Sequence, residues 1–362
     1  MKNERPFVRW ELRNKPSKRS FNMIVLQLTQ VKRTQIERPK ECPHCEGETF
    51  QRWGEQTRRV KDSQIRTVKV YRYRCTSCSR TFRHYPEGIT HAQQSERMKQ
   101  LAVICWSFGL SYRKVEAILS AFGLSLSRMS SWRDVQAGAE GIRRKKKWKP
   151  FRVVGVDGAW LNGEGVMVAV NLGDGEPLAI GAVDEKDMAA VTHWLKRLKQ
   201  EHNIGAIVTD DLAMYRGITD RLALGHQVCH FHVRRWVGRA CWDLGQRLPE
   251  EWQWIIEHIK VIMQDLPPDG GKQLLDMYRQ LPGHRKHGQD RTAVDELRYL
   301  LIRISENWDR YTTFFHDPGI PWTNNRTEQA IGRMKMRAKT TRGYKTKSGM
   351  LNGLLVSSTS LC

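Results

Sequence analysis

A chain of 362 residues with 40% hydrophobic content is long enough for two or three domains with cores of their own, and its formal net charge of +23 points to a polyanionic partner. That charge is uneven: residues 1–150 carry a net +20, residues 151–332 a net −4 and residues 333–347 a net +7. No apolar run approaches the ~18 residues of a membrane span, and the opening "MKNERPFVRWELRNKPSKRS" lacks the apolar core of a secretory signal, so a cytoplasmic chain with reduced thiols is expected.

Residues 1–40 are basic and weakly patterned, and a poorly ordered segment is expected there. The segment 41–88 contains two CxxC pairs, Cys42/Cys45 and Cys75/Cys78, 29 residues apart, with "TVKVYRYRC" alternating like a strand between them. Four thiolates on two tight turns predict one structural Zn²⁺ in a zinc ribbon, with no ligand position left open for catalysis.

Within a unit expected at 89–140, residues 95–137 predict three short helices. Val115, Ile118, Leu119 and Phe122 form a core-facing stripe. Gly123 ends that helix, Ser125 or Ser127 can cap the next, and Leu126, Met129 and Val135 can face inward. Ser127, Arg128, Ser130, Ser131 and Arg133 are then left outward, the outline of a helix-turn-helix with a helix free to enter a major groove. "IRRKKKWKP" closes a basic linker at 141–150, where Arg143, Arg144 and Lys145 are candidates for phosphate contact.

Beyond Pro150 the pattern changes. Strands at "FRVVGVDGAWL", "VMVAVNL" and "PLAIGAVDE" precede a helix near 187–202, a strand "IGAIVTDD", a helix near 213–223 and a strand "HQVCHFHV". The order βββ-α-β-α-β over 151–232 describes a mixed sheet with helices on its faces. Residues 233–316 read as helical, and 317–362 hold the last helix, from "TNNRTE", with a basic tail.

Asp157 and Asp210 end apolar strands, and Glu328 lies in the first turn of the last helix. An unpaired carboxylate at the end of a buried strand is costly. Convergence of the three would make an oxygen-rich pocket suited to Mg²⁺ and to metal-assisted phosphodiester chemistry. Each acid also has a plainer reading: Asp157-Gly158 as a turn, Asp210 or Asp211 as a helix cap, and Asn325-x-x-Glu328 as a capping box. Arg333, Lys335, Arg337, Lys339 and Arg342 follow Glu328 with no acid between them, a surface for DNA phosphates.

The succession "VVGVDGAWL", "IVTDD", "CHFHVRRWV" and "TNNRTEQAIGRMKMRAKTTRGY" resembles the DDE transposases of bacterial insertion sequences, in particular the mutator-like group whose RNase H-like domain carries a helical insertion. The resemblance covers roughly residues 40–350. It implies a multidomain α+β protein: a zinc ribbon and helix-turn-helix, then an RNase H-like mixed sheet with an all-α insertion at 233–316. Asp157, Asp210 and Glu328 would be the catalytic triad, binding two Mg²⁺ (or Mn²⁺) ions. Cys229 and His232 match the family's Cys-x-x-His, and with Asn324 and Asn325 they would support the site. The implied partners are double-stranded DNA at transposon ends and target, and further copies of the chain, at least a dimer, in a prokaryotic, nucleoid-associated setting. Two other readings stay open at this point, a catalytically silent DNA-binding regulator and a different RNase H-like nuclease.

Overall fold

Strands β1 (Phe50–Arg59), β2 (Thr67–Cys75) and β3 (Thr81–His84) form an antiparallel sheet in that order, as the alternation of "TVKVYRYRC" requires. The computed structural model describes residues 28–34, 37–146, 150–283, 291–341 and 343–359. Val68 and Val70 point to one side of β2, where they pack with Val60, Ile65 and Ile89 in a small core. So small a core needs a staple, and the two CxxC turns lie together at one end of the sheet.

Three helices follow: α1 (Glu96–Ser107), α2 (Tyr112–Ala121) and α3 (Arg128–Lys146). The Ser111 side chain caps α2 by accepting from the Lys114 N–H. Gly123 then adopts φ +75°, which reverses the chain towards α3. Two expected core residues are on the surface instead. Helix α2 stops at Ala121, so Phe122 stands out from the turn beyond it, and Met129 shares the outer face of α3 with Trp132 and Arg133. The expected linker 141–150 is also different, because α3 continues unbroken through Lys146.

The second sheet has the order β6-β5-β4-β7-β8. Strands β4 (Val153–Leu161), β5 (Glu164–Asn171) and β6 (Pro177–Gly181) form an antiparallel meander, while β7 (Ala206–Thr209) and β8 (Gly225–Val228) run parallel to β4. The parallel strands need crossovers, supplied by α4 (Met188–His202) and α5 (Ala213–Leu222). This is the βββ-α-β-α-β order expected from the sequence.

The all-α part comprises α6 (His230–Gly245), α7 (Gln253–Asp265), α8 (Gly270–Gln280), α9 (Ala293–Glu306), α10 (Trp308–Tyr311) and α11 (Thr313–His316). It has its own core, built from residues such as Ile255, Ile259, Leu274, Leu297 and Ile304. It starts three residues earlier than expected, directly from the end of β8.

The chain then returns to the sheet as α12 (Asn325–Thr341) and α13 (Lys347–Ser358). Both faces of the sheet are therefore covered. Val154, Met167 and Ile207 face α4 and α5, while Val166, Val168 and Val170 face Ala330, Met334 and Leu354. Burial on both faces explains why these strands read as unbroken apolar runs. The expected basic tail is instead the helix α13, whose Leu355 and Val356 enter one core with Trp106, Val115 and Leu119 of α1 and α2. That core joins α1–α3 to the mixed sheet. Among the described residues, no helix is long and apolar enough to cross a membrane.

Candidate active site

The parallel pairing of β4 with β7 ends at Gly155 and Val208, and Asp157 and Asp210 lie just past those points on neighbouring strands. A third acid, Glu185, comes from the loop between β6 and α4, and single carboxylate oxygens of Asp157, Glu185 and Asp210 all lie within 4.8 Å of one another. Gly158 makes room for it: a Cβ at that position would sit 2.4 Å from Glu185 Oε2. The buried Tyr215 hydroxyl donates to Glu185 Oε1 at 2.6 Å and fixes the carboxylate over the strand.

The electrostatics of the cluster are unfavourable on its own. Burial, followed by the charges of Asp210 and Glu185, pushes the Asp157 carboxyl up to about 7. Burial and then Glu185 push Asp210 up to about 6. Asp210 Oδ1 is buried and receives no hydrogen bond. Crowded carboxylates with an unsatisfied buried oxygen suit a hard divalent cation, which takes oxygen ligands and keeps positions for water and phosphate.

Asp211, the alternative to Asp210, faces the other way. Arg303 of α9 donates to its Oδ2 at 2.6 Å, and the Tyr311 hydroxyl donates to Oδ1 at 3.3 Å. The Arg303 guanidinium also lies 4.0 Å over the Trp236 ring. The insertion thus grips Asp211 and fixes the turn that presents Asp210. Arg303→Met would leave Asp211 half-paired. The expected loss is roughly 1.5–3 kcal/mol of stability, readable as a lower denaturant midpoint at unchanged slope.

Glu328 stands at the edge of the acid cluster. Its charge contributes to the rise of Asp157, but its Oε1 lies 2.9 Å from His232 Nε2. The first turn of α12 is anchored through buried Asn324, whose Nδ2 donates to the Val156 carbonyl at 3.1 Å and whose backbone N–H donates to Cys229 Sγ at 3.3 Å. The Asn324 carbonyl accepts from the N–H groups of Thr327 and Glu328. Asn325 is exposed and already helical, so the plainer reading of Asn325-x-x-Glu328 as a capping box does not hold. His232, one turn into α6, lines a cleft of about 420 Å³ with Asp210, Arg235, Arg239 and Arg303.

The candidate DNA-contacting residues divide. Arg128, Arg133, Arg143, Arg144 and Lys145 are exposed on α3, and Lys335 and Lys339 on α12. Ser131 is fully buried on the inner face of α3. Arg337 is buried as well, because it continues the inward stripe of Ile331, Met334 and Ala338. It stacks 3.9 Å over Trp106 and donates to the Leu110 carbonyl at 3.1 Å. Arg333 donates to the Ser358 carbonyl at 2.8 Å, near the end of α13. Arg342 lies outside the described residues.

In the ribbon, Cys42 and Cys78 have their sulfurs 3.8 Å apart, and Cys45 and Cys75 theirs 3.6 Å apart. A tetrahedron with Zn–S bonds near ~2.3 Å has edges near ~3.8 Å, so the four thiols fit one Zn²⁺. Each knuckle turns at a left-handed residue directly after its second cysteine, Glu46 (φ 59°) and Ser79 (φ 58°). Zinc removal is expected to unfold residues 42–78 and weaken DNA binding; a metal-free form binding DNA equally well would refute a structural role for the metal.

Sequence reasoning missed Glu185. It sits in "VDEKDM", a polar stretch with several acids and no periodic signal.

Comparison with known proteins adds the following. Residues 185–352 match the family described as "Transposase IS66 family". The match names IS66; the mutator-like grouping stays a resemblance. A curated relative, "Insertion element ISM1 uncharacterized 48.3 kDa protein" of Methanobrevibacter smithii, is 25% identical over 153 residues, which is 41% of this chain and 36% of the relative's length. Among solved structures, the catalytic core domain of BIV integrase aligns over 42% of this chain and 83% of that one, at 13% identity and a TM-score of 0.20.

Proposed function

We propose, from the match of residues 185–352 to the IS66 transposase family, that the chain is a DDE transposase of an insertion sequence that binds the ends of its element, hydrolyses a phosphodiester there and joins the freed 3′-OH to target DNA. The observation that carries the reading is the cluster of Asp157 within β4, Asp210 just past β7 and Glu185 in the loop before α4, with the Asp157 and Asp210 carboxyls pushed up, Asp210 Oδ1 unpaired and Glu328 beside it. Asp157, Asp210 and Glu328, joined by Glu185, would hold two Mg²⁺ or Mn²⁺ ions. When bound, such ions activate the attacking hydroxyl and stabilise the leaving oxygen.

The chain's own residues do the positioning. Tyr215 orients Glu185, the Asn324 anchor sets the first turn of α12, and His232 holds Glu328 at the mouth of the site. Exposed Lys335 and Lys339 on α12 and the basic end of α3 would hold phosphates, with strongly salt-dependent affinity. Readout of the element's ends would fall to the outer face of α3, with Arg128 and Arg133, and to the ribbon. Cutting two ends together implies at least a dimer. No covalent protein–DNA intermediate is part of this reading.

The test is mobility of the native locus with its flanking DNA in cells, beside Asp157→Ala and Glu328→Gln copies. Movement in the parent alone, with DNA affinity unchanged in both variants, supports the proposal. Movement that survives Asp157→Ala refutes it.

A further inference from the structure

Cys-x-x-His on its own supplies two ligands and cannot close a metal site. The fold brings in a third. Cys229 precedes α6, His232 is one turn into it, and Glu328 arrives from α12, 96 residues further along the chain. Cys229 Sγ, a His232 ring nitrogen and a Glu328 carboxylate oxygen all lie within 4.8 Å of one another. Among the described residues, this is one of three such groups, beside the cysteine ribbon and the acid cluster.

We propose that Cys229, His232 and Glu328 form a second, regulatory metal centre for Zn²⁺-class ions, one that draws Glu328 away from the catalytic carboxylates. The competitive part rests on the transposase reading above; the metal centre itself does not.

The ligand chemistry decides which ion is taken. A thiolate and an imidazole select Zn²⁺ and similar ions, whereas Mg²⁺ takes oxygen ligands and discriminates against sulfur. Three protein ligands leave a fourth position for water, and His232 already borders the open cleft on that side. Cys229 is fully buried and held by the Asn324 N–H, so its sulfur is fixed against the start of α12. Binding would displace the thiol proton to solvent and replace the His232–Glu328 hydrogen bond with two metal bonds. Glu328 cannot then move towards Asp157, so Zn²⁺ beyond what the ribbon holds would inhibit cleavage.

The experiment uses the full chain with its ribbon loaded with spectroscopically silent Zn²⁺ and excess Mg²⁺ present to occupy the carboxylates. Titration with Co²⁺ is expected to give a thiolate-to-cobalt charge-transfer band at one equivalent. That band should be absent in Cys229→Ser and weakened at least tenfold in apparent affinity in His232→Gln, a partly exposed position whose substitution leaves the core intact. No band in the parent, or a band that persists in Cys229→Ser, overturns the centre. In Mg²⁺-supported cleavage, Zn²⁺ is expected to inhibit the parent at a concentration at least tenfold below that needed for Cys229→Ser. Equal inhibition of both overturns the competition. If no cleavage is seen under any condition, the transposase reading is what has failed, and the cobalt titration still decides the centre.

Discussion

Gly155→Ala is expected to lower single-turnover cleavage by roughly 100-fold or more while leaving DNA affinity within about twofold. A Cβ at this position would stand 2.1 Å from Thr327 Oγ1, 2.2 Å from Asn324 Oδ1 and 2.8 Å from Leu172 Cδ2. Asn324 and Thr327 are both buried and cannot swing aside, so the start of α12 must move away from β4. Glu328 lies on that turn, and a shift of about 1 Å there carries the carboxylate off its position, which is the scale of displacement that costs two decades of rate. Overpacking should also cost about 1–3 kcal/mol of stability. The ribbon and the outer face of α3 are remote from the clash, so binding should survive. Gly332→Ala is the internal control: it lies on the same helix with nothing within 4 Å of its Cβ, and it should be neutral or slightly stabilising. Wild-type cleavage by Gly155→Ala would mean that the first turn of α12 does not set the chemistry.

The same region shows what the sequence could and could not display. Asp157 and Asp210 were legible because an apolar run that meets a carboxylate violates the usual rule for buried charge, and the violation is local; only Asp210 follows a strand end, since β4 continues past Asp157 to Leu161. The ribbon was legible because ligand spacing within each knuckle is also local. The partner of His232 was not, since Glu328 reaches it from 96 residues away and only the return of α12 to the sheet brings them together. Helix faces failed for a related reason. The alternating basic run after Glu328 offers no clue to which residues turn inward until α12 packs on the sheet and on α13, and then Arg337 is sealed against Trp106 while Lys335 and Lys339 remain outside. Ser131 and Met129 exchanged faces in the same way: both are compatible with either side of α3, and packing alone chose. Asp211 was distinguishable from Asp210 only by its partners on the insertion, Arg303 and Tyr311.

The crowded acids also make a stability prediction with a definite sign. The Asp157 carboxyl titrates at about 7 in the folded chain, against an ordinary value of 3.8. Its folded value is raised, so the folded state binds the proton more tightly than the unfolded one. Stability must then fall as pH climbs from about 4 to about 7, and the full penalty remains above that. The bound set by this rise is on the order of 4 kcal/mol. Total stability will not show the trend cleanly, because buried His226 and His230 titrate near about 4 and contribute in the opposite direction over much of the same range. The difference between wild type and Asp157→Asn isolates it, since the histidines cancel and any offset from the amide is independent of pH. In Mg²⁺-free buffer, the melting temperature of the variant relative to wild type is expected to be lowest near pH 4 and to climb progressively from there to about pH 7. Adding Mg²⁺ should then narrow the gap, because a cation that binds the native carboxylates raises the stability of wild type more than that of a variant lacking one of them. A difference that stays flat with pH would mean that Asp157 is not held against its neighbours' charge, and the argument for a cation between these carboxylates would lose its electrostatic basis.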